Sequence, residues 1–199
     1  LFDQWAISGK DVSMEKGHTP SVNRMIEIID EKSLINQKNF TFLDLGCGNG
    51  WVCRKISENR LCSLAVGVDG SENMINKANL NSKDEIYIKA NIEDFEYDQK
   101  FDMGGSREAG DYRKNINNML RNIYVNLLND NGSIIMGVDH YLENKPSLKW
   151  DEEYGIDIVT LSVNQWRKLF SKNQFKNIEV DFFGAKDDWN GTMILYAEK

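Results

Sequence analysis

The sequence predicts an α/β protein with a doubly wound, mostly parallel seven-stranded sheet and helices on both faces. Short apolar, β-prone runs alternate with segments of helical periodicity along most of the chain. The first of these runs, Phe40–Leu45, ends in a glycine-rich turn that leads into a helix. The last two runs follow each other with no helix between them, so the final strand is expected to run antiparallel to its neighbours.

The predicted elements follow in a regular order. The strands are expected at 40–45, 64–68, 85–89, 101–105, 133–138, 177–183 and 192–197. Helices are expected to begin at Pro20 behind a Thr19 cap, at Trp51, behind a Ser71 cap, near Asp111, and at the capping box of Ser162 and Gln165. The helix from Asp111 is expected to end near Leu128, with Asn131 and Gly132 turning the chain into the fifth strand. The glycine-punctuated segment before Thr19 is expected to be irregular.

Composition indicates one globular domain over residues 1–199. Acidic residues outnumber basic ones by 31 to 24, for a net charge of -7, and no cluster of Lys and Arg is dense enough to bind a phosphate backbone. Nucleic acid is therefore a disfavoured partner. No apolar run is long enough to span a membrane and the first residues lack a signal-peptide pattern, so a cytoplasmic location is expected. Three cysteines and two histidines predict neither a disulfide framework nor a metal site.

The turn after the first strand carries the strongest chemical signal. It reads Asp44-Leu45-Gly46-Cys47-Gly48-Asn49-Gly50, and glycines at alternate positions let a ligand lie directly on the main chain. Asp69 comes directly after the second strand, where a carboxylate accepts hydrogen bonds from the hydroxyls of an adenosine ribose. The dinucleotide fingerprint requires a glycine three residues after Gly48, and this chain has the bulky Trp51 there. The spacing therefore argues against a dinucleotide.

Residues 42–50, Phe-Leu-Asp-Leu-Gly-Cys-Gly-Asn-Gly, resemble the signature of class I S-adenosylmethionine-dependent methyltransferases, whose sheet is Rossmann-like with an antiparallel last strand. By motif the resemblance covers residues 39–137. It implies S-adenosylmethionine as the cofactor, with its methionine part on the glycine turn and its ribose on Asp69. The residues implied to bind the cofactor are Asp44, Gly46, Cys47, Gly48, Asn49, Gly50, Asp69, Gly70, Met74, Asn91, Ile92, Glu93 and Ser106.

Some of these residues also have a plainer interpretation. Asp69 is placed to cap the next helix, although Ser71 already serves that purpose. Met74 has the spacing to touch adenine and equally that of a core residue. Glu93 follows the third strand in the segment expected along the adenine, where an acidic loop residue is often simply solvated.

Methyl transfer from a sulfonium is an in-line displacement, so the protein mainly aligns the reacting groups and excludes water. An O–H or N–H acceptor also needs a base within hydrogen-bond reach. The predicted catalytic residues are His140 after the fifth strand, His18 in the amino-terminal segment, and Glu108 after the fourth strand. For both histidines a purely structural role in a loop is the alternative.

Two segments are expected on the substrate side. Residues 1–20 are predicted to act as a lid over the cofactor, with an ordinary surface loop as the alternative. Residues 139–161 are predicted to be a substrate-side insertion, in which Trp150 and Tyr154 wall the acceptor pocket or simply pin the loop to the core.

The expected reaction is methylation of a small molecule at oxygen, nitrogen or carbon. The fourth strand is not followed by an Asn/Asp-Pro-Pro-Tyr/Phe segment, and no cysteine lies near it, which argues against amide, adenine and covalent cytosine methylation. Gly104 and Gly105 depart from the usual pattern of that strand and keep a second hypothesis open, a cofactor-binding subunit that supports a protein partner. A protein methyltransferase and a nicotinamide-dependent dehydrogenase are further alternatives.

Overall fold

The structure, a computed structural model, describes residues 2–36, 39–107, 116–155 and 157–199. Within these ranges the strands are β1 (Phe40–Leu45), β2 (Cys62–Asp69), β3 (Ile86–Lys89), β4 (Phe101–Arg107), β5 (Leu128–Val138), β6 (Lys176–Phe183) and β7 (Thr192–Glu198). They form one sheet in the order β3-β2-β1-β4-β5-β7-β6. Strands β1 to β5 are parallel, and β7 is antiparallel to β5 and β6. The predicted fold class and the antiparallel last strand are confirmed.

The described helices are α1 (Phe2–Ser8), α2 (Lys10–Asn36), α3 (Trp51–Ser57), α4 (Glu72–Leu80), α5 (Ile116–Asn122), α6 (Trp150–Tyr154) and α7 (Val163–Lys172). Two of the three predicted caps are present. The Ser71 hydroxyl accepts a hydrogen bond from the Met74 N–H at the start of α4. Ser162 and Gln165 form a reciprocal capping box at the start of α7.

Helices cover both faces of the sheet because the central strands are apolar on both sides. On one face Phe42 packs with Val22 of α2 and Val52 of α3. On the other face Leu43 packs in a cluster that includes Met119 of α5 and Phe170 of α7. Adjacent residues of a strand point to opposite faces, so this continuous burial of β1 fixes the strand at the centre of the sheet.

The glycines of β4 allow close packing in the middle of the sheet. A Cβ atom on Gly105 would lie 2.5 Å from the ring of Phe42 on β1, which leaves no room for a side chain. The strand is therefore regular despite its two glycines, and it extends to Arg107, beyond the predicted end at residue 105.

The amino-terminal segment corrects the prediction of an irregular chain. Helices α1 and α2 occupy it and are joined at Gly9, whose φ of 76° breaks the helix. Thr19 and Pro20 lie inside α2, and the Thr19 hydroxyl donates to the carbonyl of Glu15 instead of capping a helix. The predicted helix start at this position was wrong.

The link between α5 and β5 also differs from the prediction. The start near Asp111 lies outside the described residues, and the helix ends in a π-helical turn, Ile123–Leu127, before β5 begins at Leu128. Asn131, with a φ of 67°, and Gly132 form the predicted turn, but they lie in a bulge within β5, where the register with β4 shifts. In the part of the chain that the structure describes, no helix combines the length and the apolar character needed to cross a membrane.

Candidate functional site

A cavity of about 400 Å³ opens at the carboxyl ends of β1, β2 and β4. This is the edge of a parallel sheet at which ligands bind in doubly wound folds. Described residues that line it come from α1, α2, the turn after β1, the start of α4 and the end of β4; they are Phe2, Asp3, Trp5, Asp11, Met14, Glu15, His18, Asp44, Gly46, Cys47, Gly48, Asn49, Trp51, Val52, Asp69, Gly70, Ser71, Met74 and Arg107.

The glycine turn forms the floor of the cavity. Two of its positions require glycine for different structural reasons. Gly48 has a φ of 52°, and a Cβ atom there would meet nothing within 4 Å, so its backbone faces open space. Gly50 has a φ of 79°, and a Cβ atom there would lie 2.5 Å from the ring of Tyr87. The Tyr87 hydroxyl donates to the Gly50 carbonyl at 2.9 Å, which fixes the turn from behind.

Asp69 ties the glycine turn to the following helix. One oxygen of its carboxylate accepts the N–H of Gly48 at 3.0 Å, and the other accepts the N–H of Ser71 at 2.8 Å. The carboxylate lies in the cavity wall.

Asp44 is a buried carboxyl at the end of β1. Burial, followed by the charge of Asp69, raises the pKa of Asp44 to about 7, although a contact from the Cys53 thiol at 3.8 Å acts in the opposite direction. A cationic group in the cavity would favour the ionised form of this carboxyl.

The roof of the cavity is the segment Phe2–His18, the N-terminal cover. Asp3 of the cover accepts hydrogen bonds from the Ser71 hydroxyl at 2.6 Å and the Asn73 N–H at 3.1 Å. Trp5 is buried in a small cluster with Met74 of α4. The cover is thus attached to the start of α4, directly beside the site of Asp69.

A second set of contacts attaches the cover to the glycine turn. The side-chain amide of Asn49 donates to Asp11 at 3.1 Å and to Glu15 at 3.2 Å. Lys77 of α4 pairs with the other oxygen of Asp11 at 2.8 Å. Burial opposes ionisation of Asp11, but Lys77 and Asn49 outweigh it and hold the pKa of Asp11 below its usual value.

His18 lies at the far end of the cover, facing the ends of β4 and β5. Its Nε2 is 4.0 Å from a carboxylate oxygen of Asp139, and that oxygen is 2.6 Å from Nη2 of Arg107. Burial and the positive charge of Arg107 lower the pKa of His18 to about 4, while Asp139 acts in the opposite direction. The imidazole is therefore neutral at pH 7 and has a lone pair to accept a proton.

His140 does not reach the cavity. Its side chain is buried, with Nδ1 at 2.9 Å from the Ser147 carbonyl and Nε2 at 2.7 Å from the Thr160 hydroxyl. Both ring nitrogens are engaged in fixing the insertion, so this position gives no support to the predicted catalytic role. Glu108, the third predicted catalytic residue, lies outside the described residues.

Most of the predicted cofactor residues line the cavity. The others lie elsewhere in the structure. Gly50 lies behind the turn, against Tyr87. Ser106 is buried and donates to the Leu45 carbonyl at 2.9 Å, which links β4 to β1. Asn91 is exposed, Ile92 belongs to the core, and Glu93 is half-buried; none of them lines the described cavity.

Sequence reasoning missed several residues of the cavity wall. Asp11 and Glu15 recur at helical spacing with His18, which was predicted, and this signal would have been visible had the segment been recognised as a helix. Trp5 lies on the preceding helix. Arg107 carries no local signal, because its position at the cavity depends on partners from two other strands.

Comparisons with known proteins agree with this architecture. Residues 36–149 match the family model described as a methyltransferase domain. No curated protein sequence matches the chain.

Solved structures with the same fold include three methyltransferases. One, from Haloferax volcanii, is a putative methyltransferase in complex with the activator Trm112; it is 24% identical with a TM-score of 0.81, over 100% of this chain and 97% of that one. An S-adenosylmethionine-dependent methyltransferase from Mesorhizobium loti is 21% identical with a TM-score of 0.70, over 81% and 92%. The magnesium protoporphyrin IX methyltransferase of Synechocystis, with bound S-adenosylhomocysteine, is 16% identical with a TM-score of 0.71, over 92% and 83%.

The charge state of His18 leads to a direct prediction. The chain has two histidines, so proton NMR can follow each imidazole separately, with His18→Gln assigning the signals. We expect the His18 signal to titrate near pH 4 in the folded protein, because burial and Arg107 disfavour the imidazolium. A midpoint near the ordinary histidine value of about 6.5 would contradict this account of the site.

Proposed function

Because the chain belongs to the methyltransferase-domain family, in its class I S-adenosylmethionine-dependent branch, we propose that it transfers a methyl group from S-adenosylmethionine to a small-molecule acceptor. The observation that carries the proposal is the cavity at the sheet edge, floored by the glycine turn and roofed by the N-terminal cover. When bound, the cofactor supplies a methyl group on a positively charged sulfur. The chain's own residues hold it, exclude water and take up a proton.

The cavity fits this cofactor by size and by chemistry. Its volume of about 400 Å³ lies within the range of small-molecule sites. We assign Gly46, Cys47, Gly48 and Asn49 to the methionine part, Asp69 and Gly70 to the ribose, and Met74 to the adenine. The open space above Gly48 supports the first assignment. The pair Asp44 and Asp69 supports a ligand that carries positive charge.

We assign the proton-accepting role to His18. It is the predicted catalytic histidine that lines the cavity, and its imidazole is neutral at the pH at which it would have to accept a proton. An O–H or N–H acceptor that loses its proton on methylation would give it to this imidazole, with Asp139 at 4.0 Å as the counter-ion.

A small molecule is favoured over a protein side chain because the cover closes over the site. Asp3, Asp11 and Glu15 all bond to residues of the opposite wall. A polymeric acceptor would have to displace these contacts, whereas a small molecule needs only a brief opening.

The second hypothesis is a cofactor-binding subunit that works with a protein partner. The similarity to a methyltransferase held by an activator, over 100% of this chain, favours it. The two hypotheses differ in a measurable way, because the small-molecule enzyme binds cofactor and acceptor alone, whereas the subunit would need its partner.

Isothermal titration calorimetry with S-adenosylhomocysteine, run beside NAD at equal concentration, tests the proposed cofactor site. We expect micromolar binding of S-adenosylhomocysteine and none of NAD, because Trp51 stands where the dinucleotide fingerprint needs glycine. Binding of NAD alone would overturn the proposal, and binding of neither ligand would favour the partner-dependent subunit.

A matched pair of glycine substitutions tests the floor of the cavity. Gly48 and Gly184 both have positive φ values, 52° and 74°, and at both a Cβ atom would meet nothing within 4 Å. Gly48→Ala and Gly184→Ala should each lose about 1 kcal/mol of stability in urea unfolding, because alanine is strained in this conformation. We expect the dissociation constant for S-adenosylhomocysteine to rise about tenfold or more in Gly48→Ala alone, about 1.4 kcal/mol. Equal affinities in both variants would remove Gly48 from the site.

We further propose that the N-terminal cover opens to admit the cofactor and that an aromatic clasp, formed by Trp5, Lys10 and Tyr154, holds it shut. The Lys10 ammonium lies 4.1 Å from the Trp5 ring centre and 4.4 Å from that of Tyr154. Tyr154 belongs to the insertion, of which no described residue lines the cavity. Through Tyr154 the insertion thus contacts the cover.

Loss of the clasp should speed release of the ligand. In Lys10→Met we expect S-adenosylhomocysteine to dissociate about 3- to 10-fold faster, the effect of losing a cation–π contact of about 0.7 to 1.4 kcal/mol. Lys16→Met is the control, because Lys16 is an exposed lysine on the same helix. Surface plasmon resonance with the immobilised protein measures both rates, and equal rates for the two variants would contradict the clasp.

A further inference from the structure

Arg107, Asp139 and Thr192 form a buried polar cluster at the end of the cavity opposite Asp69. The three residues come from neighbouring strands: Arg107 ends β4, Asp139 directly follows β5, and Thr192 begins β7. They meet because β4 and β5 end at the same edge of the sheet at which the antiparallel β7 begins. The Thr192 hydroxyl donates to one oxygen of Asp139 at 2.6 Å, and Arg107 pairs with the other at 2.6 Å.

The path of the Arg107 side chain depends on a glycine. Arg107 and Gly137 are paired residues on β4 and β5, and the arginine lies across the main chain of Gly137. A Cβ atom at Gly137 would come within 2.7 Å of Cδ of Arg107 and 3.0 Å of the sulfur of Met25. Any side chain at this position would therefore push the guanidinium away from Asp139.

The cluster is directed at His18. The buried guanidinium of Arg107 lines the cavity. One carboxylate oxygen of Asp139, Oδ2, lies 2.6 Å from Nη2 of Arg107 and 4.0 Å from Nε2 of His18. Burial opposes ionisation of Asp139, but Arg107 and the Thr192 hydrogen bond hold its pKa below the usual value. Asp139 is thus a carboxylate shared between a permanent cation and a histidine.

We propose that Arg107, held in place by Asp139 and Thr192 across Gly137, is a positioning residue that acts on His18 through their shared carboxylate, Asp139, and controls the charge of its imidazole. The inference rests on the proposed function, in which His18 takes a proton from the acceptor. Arg107 keeps the resting imidazole neutral, and Asp139 supplies the counter-ion once the imidazole has been protonated.

Other charged groups near His18 do not replace this pair. Glu15 is one turn away on the same helix and accepts a hydrogen bond from Asn49. Asp44, at the end of β1, is in contact with Cys53, and Asp11 pairs with Lys77. Arg107 and Asp139 are the charged groups that shift the pKa of His18, and among the described residues that line the cavity Arg107 is the one lysine or arginine.

The test is the NMR titration of His18 in variants of the cluster. In Arg107→Met the His18 midpoint should rise from near pH 4 toward the ordinary value of about 6.5. Gly137→Ala should raise it as well, because the new methyl group displaces the guanidinium while both charges stay in the protein. Gly104→Ala is the matched control: it is a glycine of the neighbouring strand where a Cβ atom would have its nearest contact at an ordinary 3.6 Å, and its His18 midpoint should stay near pH 4.

Removal of Arg107 leaves Asp139 buried without its cation, which can unfold the protein. The double variant Arg107→Met/Asp139→Asn keeps the test decisive, because it removes the carboxylate together with its cation. Its His18 midpoint should still rise, since the effect of Arg107 on His18 is larger than that of Asp139. An unchanged His18 midpoint in the folded variants would overturn the inference.

Calorimetry with S-adenosylhomocysteine separates this result from the proposed function. If the wild-type protein binds the ligand and the His18 midpoint does not move in the variants, the inference alone fails. If the midpoint moves and the wild-type protein does not bind the ligand, the cluster acts on His18 as inferred and the cofactor assignment fails.

Discussion

The two hydrogen bonds accepted by Asp69 determine the geometry of the site. They fix the glycine turn after β1 relative to the start of α4. Ser71 then continues the connection, because its hydroxyl donates to Asp3 on the N-terminal cover. Floor, wall and roof of the cavity thus belong to one hydrogen-bonded path. A ligand that formed hydrogen bonds with Asp69, as proposed, would act on a group already coupled to the cover.

The cover is attached in a way that permits opening. Its contacts with the body are mostly polar pairs and the aromatic clasp, with Trp5 against Met74 as the main buried apolar contact. Each such hydrogen bond adds about 0.5 to 1.5 kcal/mol net, and a partly exposed cation–π contact about 0.5 to 1 kcal/mol. The sheet is held by continuous apolar burial on both faces. The cover is therefore held mainly by contacts that water can replace, whereas the sheet is held by buried apolar surface.

The fold was predictable because each strand is a local apolar run, and the direction of the last strand followed from the missing crossover. The floor of the site was equally predictable, since Gly48 and Asp69 are recognised by spacing alone. The helices of the cover were missed because they turn Asp11, Glu15 and His18 toward a cavity, which weakens the apolar pattern used to recognise a helix. The buried position of His140 was not predictable because the partners of its ring, Ser147 and Thr160, come from an insertion whose path is not visible in the sequence. The position of Arg107 could not be predicted because it depends on the register between β4 and β5, which places Gly137 beside it.

Charge explains why a stable protein would keep Asp44 buried near Asp69. Burial and the charge of Asp69 raise the pKa of Asp44 to about 7, so the folded state holds this proton more tightly than the unfolded chain, whose value is near 3.8. By linkage, this group destabilises the folded protein increasingly as the pH rises from about 4 to 7. A positively charged ligand in the cavity lowers the pKa of Asp44 again and removes that penalty. The buried carboxyl of Asp44 therefore lowers the stability of the empty protein and favours a cationic ligand. S-adenosylmethionine carries a positive charge at its reactive sulfur, and the thioether left after methyl transfer does not.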